Sequence, residues 1–85
     1  MGSYRLGFKP SAVKQLEGLP PRDRKRVVER IRALAHDPRP LGSEKLSGEE
    51  KYRIRQGDYR VVYGIDDDAE VVTVVRIGHR RDIYR

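Results

Sequence analysis

At 85 residues, with a net charge of +6 and a pI near 10.0, the chain has room for one small core and is built to meet an acidic partner. It has no cysteine, which excludes disulfides, thiolate nucleophiles and cysteine-ligated zinc, and its two histidines, His36 and His79, are not spaced as a ligand pair. There is no apolar run long enough to span a membrane and no signal-peptide pattern, and Leu6 stands where an N-myristoylation signal needs Ser or Thr. A cytoplasmic protein without a membrane partner is therefore expected.

In chain order, Tyr4 to Phe8 alternates and predicts a short first strand. Pro10 and Ser11 open a helix in which Val13, Leu16 and Leu19 mark one face, and Gly18 with Pro20-Pro21 punctuates it. A second helix is predicted from about Pro21 to His36, since proline is tolerated where the first helical amides lack partners anyway. Val27, Ile31, Leu34 and Ala35 recur at helical spacing, giving a helical hairpin with a buried seam. The rest of that helix carries Arg22, Arg24, Lys25, Arg26, Arg30 and Arg32 against Asp23 and Glu29.

Asp37-Pro38-Arg39-Pro40 ends the helix, and a loop through Gly42 and Gly48 leads to the strands. From Tyr52 to Gln56 the chain alternates strictly, with Tyr52 and Ile54 pointing one way and Arg53 and Arg55 the other. Gly57-Asp58 supplies a tight turn into a strand from Tyr59 to Asp66. A second turn, through Asp66, Asp67, Asp68 and Ala69, leads into a strand from Glu70 to Gly78. The acidic turn reads as a solvated hairpin tip, because one tip without further ligands is a weak cation site.

Short connections predict an antiparallel meander, and helices before strands predict an α+β class. The expectation is one domain over residues 1–85, with an N-terminal strand and a two-helix hairpin packed on a mainly antiparallel four-stranded sheet. The other sheet face is then open, and Arg53 and Arg55 project from it.

A guanidinium on a strand needs a reason, because it keeps its charge and cannot be buried without a partner. Arg53, Arg55 and Arg60, followed by Arg80 and Tyr84, suggest a cationic surface on a rigid platform. A second basic cluster, Arg76, Arg80, Arg81 and Arg85, is offset only by Asp82. With the basic helix, this points to nucleic acid, with Arg22, Lys25, Arg26, Arg30 and Arg81 as candidate contact residues. Blander readings stand beside these. Arg53 and Arg55 can be a solvated strand face that discourages edge pairing, and Arg60 can pair with Asp58 or Asp82. His79 can be a turn residue, Tyr84 can seal the core edge, and Tyr52, Tyr59 and Tyr63 read as packing residues.

The helical pair, the YRIRQGDYRVVYGID hairpin and the closing GHRRDIYR resemble the RelE/ParE superfamily of bacterial and archaeal toxins over nearly the whole chain. Within it the sequence is most similar to the RelE branch, whose members cleave mRNA in the ribosomal A site. The ParE branch shares the fold and inhibits DNA gyrase instead. The resemblance implies the RelE-like microbial ribonuclease fold and a ribosome-dependent endoribonuclease that needs no metal or other cofactor. It also implies a cognate RelB-like antitoxin, the ribosome with its rRNA and A-site mRNA as partners, and operator DNA only through the antitoxin complex. By the same resemblance, Arg53 and Arg55 occupy two positions that are lysine in the family. Arg60 and Arg80 match its arginines, and Tyr84 matches a tyrosine that stacks on the target base and assists chemistry.

RNA cleaves itself when a 2′-hydroxyl attacks the adjacent phosphorus and the 5′-oxygen leaves. Fixed guanidinium groups stabilise the charge that gathers on the phosphoryl oxygens, and stacking holds the in-line geometry. Arginine is a poor general base at neutral pH, so the constellation lacks an obvious proton shuttle. His79 carries the one nearby imidazole, which makes His79 or Tyr84 the candidate for proton transfer, with Arg80 assisting the leaving oxygen. A basic nucleic-acid-binding module without catalysis is a third reading, and it predicts salt-sensitive binding with no cleaved product.

Overall fold

In the computed structural model, which describes residues 3–46, 48 and 50–79, seven elements follow one another. They are β1 (Arg5–Phe8), α1 (Pro10–Glu17), α2 (Pro21–Ala33), β2 (Glu44–Lys45), β3 (Lys51–Gln56), β4 (Tyr59–Asp66) and β5 (Val71–His79). The sheet order is β1-β5-β4-β3-β2, with β1 parallel to β5 and the remaining pairs antiparallel. The α+β class and the mainly antiparallel meander are as expected. The sheet has five strands rather than four because β2, only two residues long, pairs with β3 at its outer edge.

Proline opens each helix at a position where the missing amide costs nothing, and α1 closes as the Gly18 N–H donates to the Lys14 carbonyl at 3.1 Å. α2 ends at Ala33, not His36. Residues 34–36 tighten into a turn in which Leu34, Ala35 and His36 donate to Ile31, Arg32 and Ala33, each three residues back. α1 lies over β5 and α2 over β3, so each helix packs mainly on the sheet rather than along a seam shared with the other. Ala12, Val27, Ile31 and Leu34 meet Ile54, Val61, Tyr63, Val72, Val74 and Ile77, all of them buried. Val13, expected on the buried side of α1, is 39% exposed, and Ala12 takes its place. A helix of eight residues lying close over β5 presents its smallest side chain at the contact, with Leu16 and Leu19 packing at the margin.

The loop after α2 is fastened by a polar and aromatic network. Arg39 donates to both carboxylate oxygens of Asp67, at 3.2 and 2.9 Å, and its Nε donates to the Tyr52 hydroxyl at 3.0 Å. The same guanidinium lies over the Tyr52 ring, 5.1 Å from its centre, and Tyr52 stacks on Tyr63 at 6.0 Å. The Tyr63 hydroxyl donates to the Pro38 carbonyl at 2.7 Å, and burial pushes this phenol up to about 12. The Tyr4 hydroxyl donates to Asp67 at 2.7 Å, tying the N-terminal segment to the β4–β5 turn. Asp67 is therefore an anchor and not part of a merely solvated tip. A turn aspartate reads as solvated in sequence because its partners lie 28 and 63 positions away. Among the described residues, no helix is long and apolar enough to cross a membrane.

The Arg39 guanidinium first, and the Tyr4 hydroxyl second, hold the Asp67 carboxyl below its ordinary value. A carboxyl lowered in the folded state contributes stability above the ordinary carboxylate range and loses it as pH falls through the lowered value. Asp67→Asn is expected to lower the thermal midpoint at pH 7 by a few degrees. The gap to the unsubstituted protein should close on acidification below about pH 4. Calorimetry across that range checks it, and a gap that stays constant with pH would remove the ion pair from the explanation.

Candidate nucleic-acid interface

Residues directly opposite each other on neighbouring strands share a sheet face. β3 and β4 place Arg55 opposite Arg60 and Arg53 opposite Val62, while β4 and β5 place Arg60 opposite Gly78 and Val62 opposite Arg76. Arg53, Arg55, Arg60 and Arg76 therefore line the face turned away from the helices, and Lys51, opposite Gly64, joins them at the far end. Among the described strand residues, the acids on the same face are Glu44, opposite Arg53, and Asp66 at the end of β4. Gly78 leaves room beside Arg60, since among the described residues a Cβ added there would meet nothing within 4 Å.

Not all these cations project into solvent as expected. Arg55 and Arg76 are exposed, whereas Arg53 and Arg60 are only 9% and 7% exposed. Arg60 sits on the central strand of the sheet, flanked on both sides. Arg53 is held by a short hydrogen-bonded ion pair from its Nη2 to Glu44 on β2. A guanidinium fixed in this way keeps its charge and loses little freedom when an anion arrives. Arg55 and Arg60 are like charges directly opposite each other, an arrangement that an anion between or above them would favour.

His79 does not join this cluster, which corrects the expectation that it stands beside the arginines. It pairs with Tyr59 in register, and the two rings meet edge to face at 5.7 Å and 82°. The Tyr59 hydroxyl in turn donates to Asp23 on α2 at 3.3 Å, so both rings lie on the helix side of the sheet. Burial, and then Asp23, raise the Tyr59 phenol above its ordinary value. Tyr59 and His79, with Asp23, Arg26 and the β3–β4 turn, line a cavity of about 290 Å³ there. Alternation along a strand decides this, since His79 is one residue past Gly78 and points the other way.

The basic helix forms a second surface. Arg22, Lys25 and Arg26 are exposed along α2, and the Nε of Arg30 donates to the Arg55 carbonyl at 3.5 Å, bringing it against the edge of β3. These residues lie on the helix side, and Arg30 is where they approach the strand that carries Arg55. Arg80, Arg81 and Tyr84 lie outside the described residues. Among the described residues, no group of three or more His, Asp or Glu side chains gathers to hold a metal ion. The sequence reading missed Arg76 and Lys51 as members of the face. The alternation of the KYRIR segment carries the signal for Lys51, while the phase of Arg76 is hidden by an irregularity in β5.

Residues 6–84 match the family described as ParE toxin of type II toxin-antitoxin system, parDE. Over 86 residues the chain is 37% identical to Toxin RelG of Mycobacterium tuberculosis, covering 96% of this chain and 97% of that one. Its fold matches a chain of the toxin–antitoxin complex RelBE2 of the same organism with a TM-score of 0.84 and 34% identity, over 96% and 97% of the two chains. A chain of the archaeal RelE–RelB complex of Pyrococcus horikoshii gives 0.83 and 30%, over 94% and 98%. The likeness runs from the first strand into the C-terminal tail and spans nearly the full length of each relative. The chain thus belongs to the RelE/ParE superfamily, as a RelE-like toxin of a type II toxin–antitoxin system.

Proposed function

We propose that this toxin is a ribosome-dependent endoribonuclease that cuts mRNA in the A site. The observation that carries the reading is the opposition of Arg55 and Arg60 across β3 and β4, with open space at Gly78 and with Arg53 and Arg76 alongside. Two guanidinium groups carried on opposed strand positions suit a phosphoryl group whose charge grows in the transition state. The 2′-oxygen forms its bond to phosphorus, the P–O5′ bond breaks, and the products are a 2′,3′-cyclic phosphate and a 5′-hydroxyl. Arg60 and Arg55 stabilise the phosphoryl oxygens, and Arg53, braced by Glu44, holds the charge of the platform in place. Tyr84 stacks on the target base and handles a proton, and Arg80 assists the departing oxygen. His79, behind the sheet, takes no proton in this scheme. Arg22, Lys25, Arg26, Arg30 and Arg81 contact ribosomal RNA, so the two basic surfaces engage different parts of one assembly in the cytoplasm.

The relatives whose structures are complexes with RelB-type antitoxins support a cognate antitoxin for this chain. A short acidic chain whose helix covers apolar and basic surface fits that role. Operator DNA is reached only through that complex. A second reading, gyrase inhibition without catalysis, is favoured by one observation: the matching family is described by ParE.

A toeprint of a defined mRNA on purified ribosomes should show breaks within the A-site codon that are absent without ribosomes. Arg60→Ala is expected to slow single-turnover cleavage about 100-fold, the scale of losing one fixed donor to a developing oxyanion. His79→Gln should leave the rate within about twofold at every pH, as suits a ring on the other face. An intact message, together with loss of supercoiling by purified gyrase, would replace this reading with the ParE one.

A further inference from the structure

One extra residue in β5 decides where Arg76 points. The strand begins with Val72 and Val74 fully buried toward the helices. Strict alternation would send residue 76 the same way and drive a guanidinium into the core, with Ile77 turned to the open face. The register breaks instead. Val62 pairs with Arg76 and the next residue, Tyr63, pairs with Val74, so Val75 has no partner on β4. Beyond this β-bulge Ile77 is back in the core at 2% exposure, and Arg76 and Gly78 face the arginine side.

The bulge lies where β5 loses its other neighbour. The last residue of β1 to pair is Phe8, opposite Val74, and the Lys9 N–H closes that edge on the Val74 carbonyl at 2.9 Å before the chain turns into α1. From there, among the described residues, the β1 side of β5 has no strand beside it. The Ile77 N–H is met by a side chain, the Oε1 of Gln15 on α1, at 2.8 Å. Gln15 thus supplies the acceptor a strand would have supplied, one residue past Arg76.

We propose that Arg76 is a phosphate-binding residue of the arginine face, and that Gln15 is the positioning residue that keeps it there by holding the bulged backbone of β5. The inference rests on the RNA-cleaving reading above and adds two residues to it. Arg76 lies two residues along β5 from the open space at Gly78, about 7 Å at strand rise, the scale of one nucleotide step. Its ligand is therefore the backbone phosphate next to the scissile one. Arg76 is exposed, so its removal leaves the fold intact.

The test uses ribosomes and a defined mRNA with the full chain, Arg76→Ala, Gln15→Met, Gln15→Glu and the Arg76→Ala/Gln15→Met double variant. Arg76→Ala is expected to raise KM about tenfold with kcat little changed, and to reduce the salt slope of binding by about one unit. Gln15→Met should raise KM about threefold and speed hydrogen exchange at the Ile77 amide, while Gln15→Glu, which keeps an acceptor, restores both. The double variant should be no worse than Arg76→Ala alone, because Gln15 acts through Arg76. Full additivity, or fast Ile77 exchange with an unchanged KM, would overturn the role of Gln15. A normal KM for Arg76→Ala, in a protein that cleaves, would overturn the role of Arg76 and leave the nuclease reading standing. No cleavage by the unsubstituted protein would overturn both.

Discussion

The two helices claim one face of the sheet, and pleated alternation leaves every second strand residue to the other. Ile54, Val61 and Tyr63 are buried against Val27, Ile31 and Leu34, each contributing roughly 1.5 to 3 kcal/mol by burial. The opposition of Arg55 and Arg60 on the reverse of the same strands costs on the order of 0.2 to 1 kcal/mol. The apolar side therefore sets the register by a wide margin, and the cations are carried into proximity that they would not choose. A charged platform made this way is available without any rearrangement at the moment an anion binds, the condition under which electrostatic stabilisation is most effective.

The molecule separates what holds it together from what it presents. Arg39, Asp67, Tyr4, Tyr52 and Tyr63 knit the N-terminal segment, the loop after α2 and the β4–β5 turn into one corner. The open space at Gly78 and the opposed arginines lie toward the opposite end of the strands, where β3 turns into β4 and β5 finishes. Glu44 bridges these concerns, since a two-residue strand at the sheet edge exists where it can bring a carboxylate to Arg53. An edge strand so short gives little pairing of its own, and the ion pair from its exposed Glu44 to the buried Arg53 gives it a reason to stay.

How much of this could be read from the chain depends on the range of the interaction concerned. The alternation of Tyr52, Arg53, Ile54 and Arg55 is local, and by itself it puts both arginines on the open face. The helical spacing of Val27, Ile31 and Leu34 did the same for α2. What escaped was set at a distance or by phase. Asp67 is an anchor only because Arg39 and Tyr4 arrive from elsewhere, and β2 is too short to show a period. Val13 and Ala12 differ by one position, and the packing angle on β5 chooses between them. The face of His79 and of Arg76 follows from a bulge that a run of valines conceals, because VVTVVRI satisfies either phase until the register is known.

Arginine at positions 53 and 55 has a consequence for how the face works. A lysine among cations loses its proton readily and can then act as a base, while a guanidinium stays charged and offers a fork of donors instead. The platform therefore trades proton chemistry for permanent, directional charge. Arg53 goes furthest in this direction, since Glu44 occupies part of its fork and burial fixes the remainder. A face of this kind gives the same field at any pH near neutrality. Any pH dependence of the proposed cleavage would then arise from groups other than these arginines.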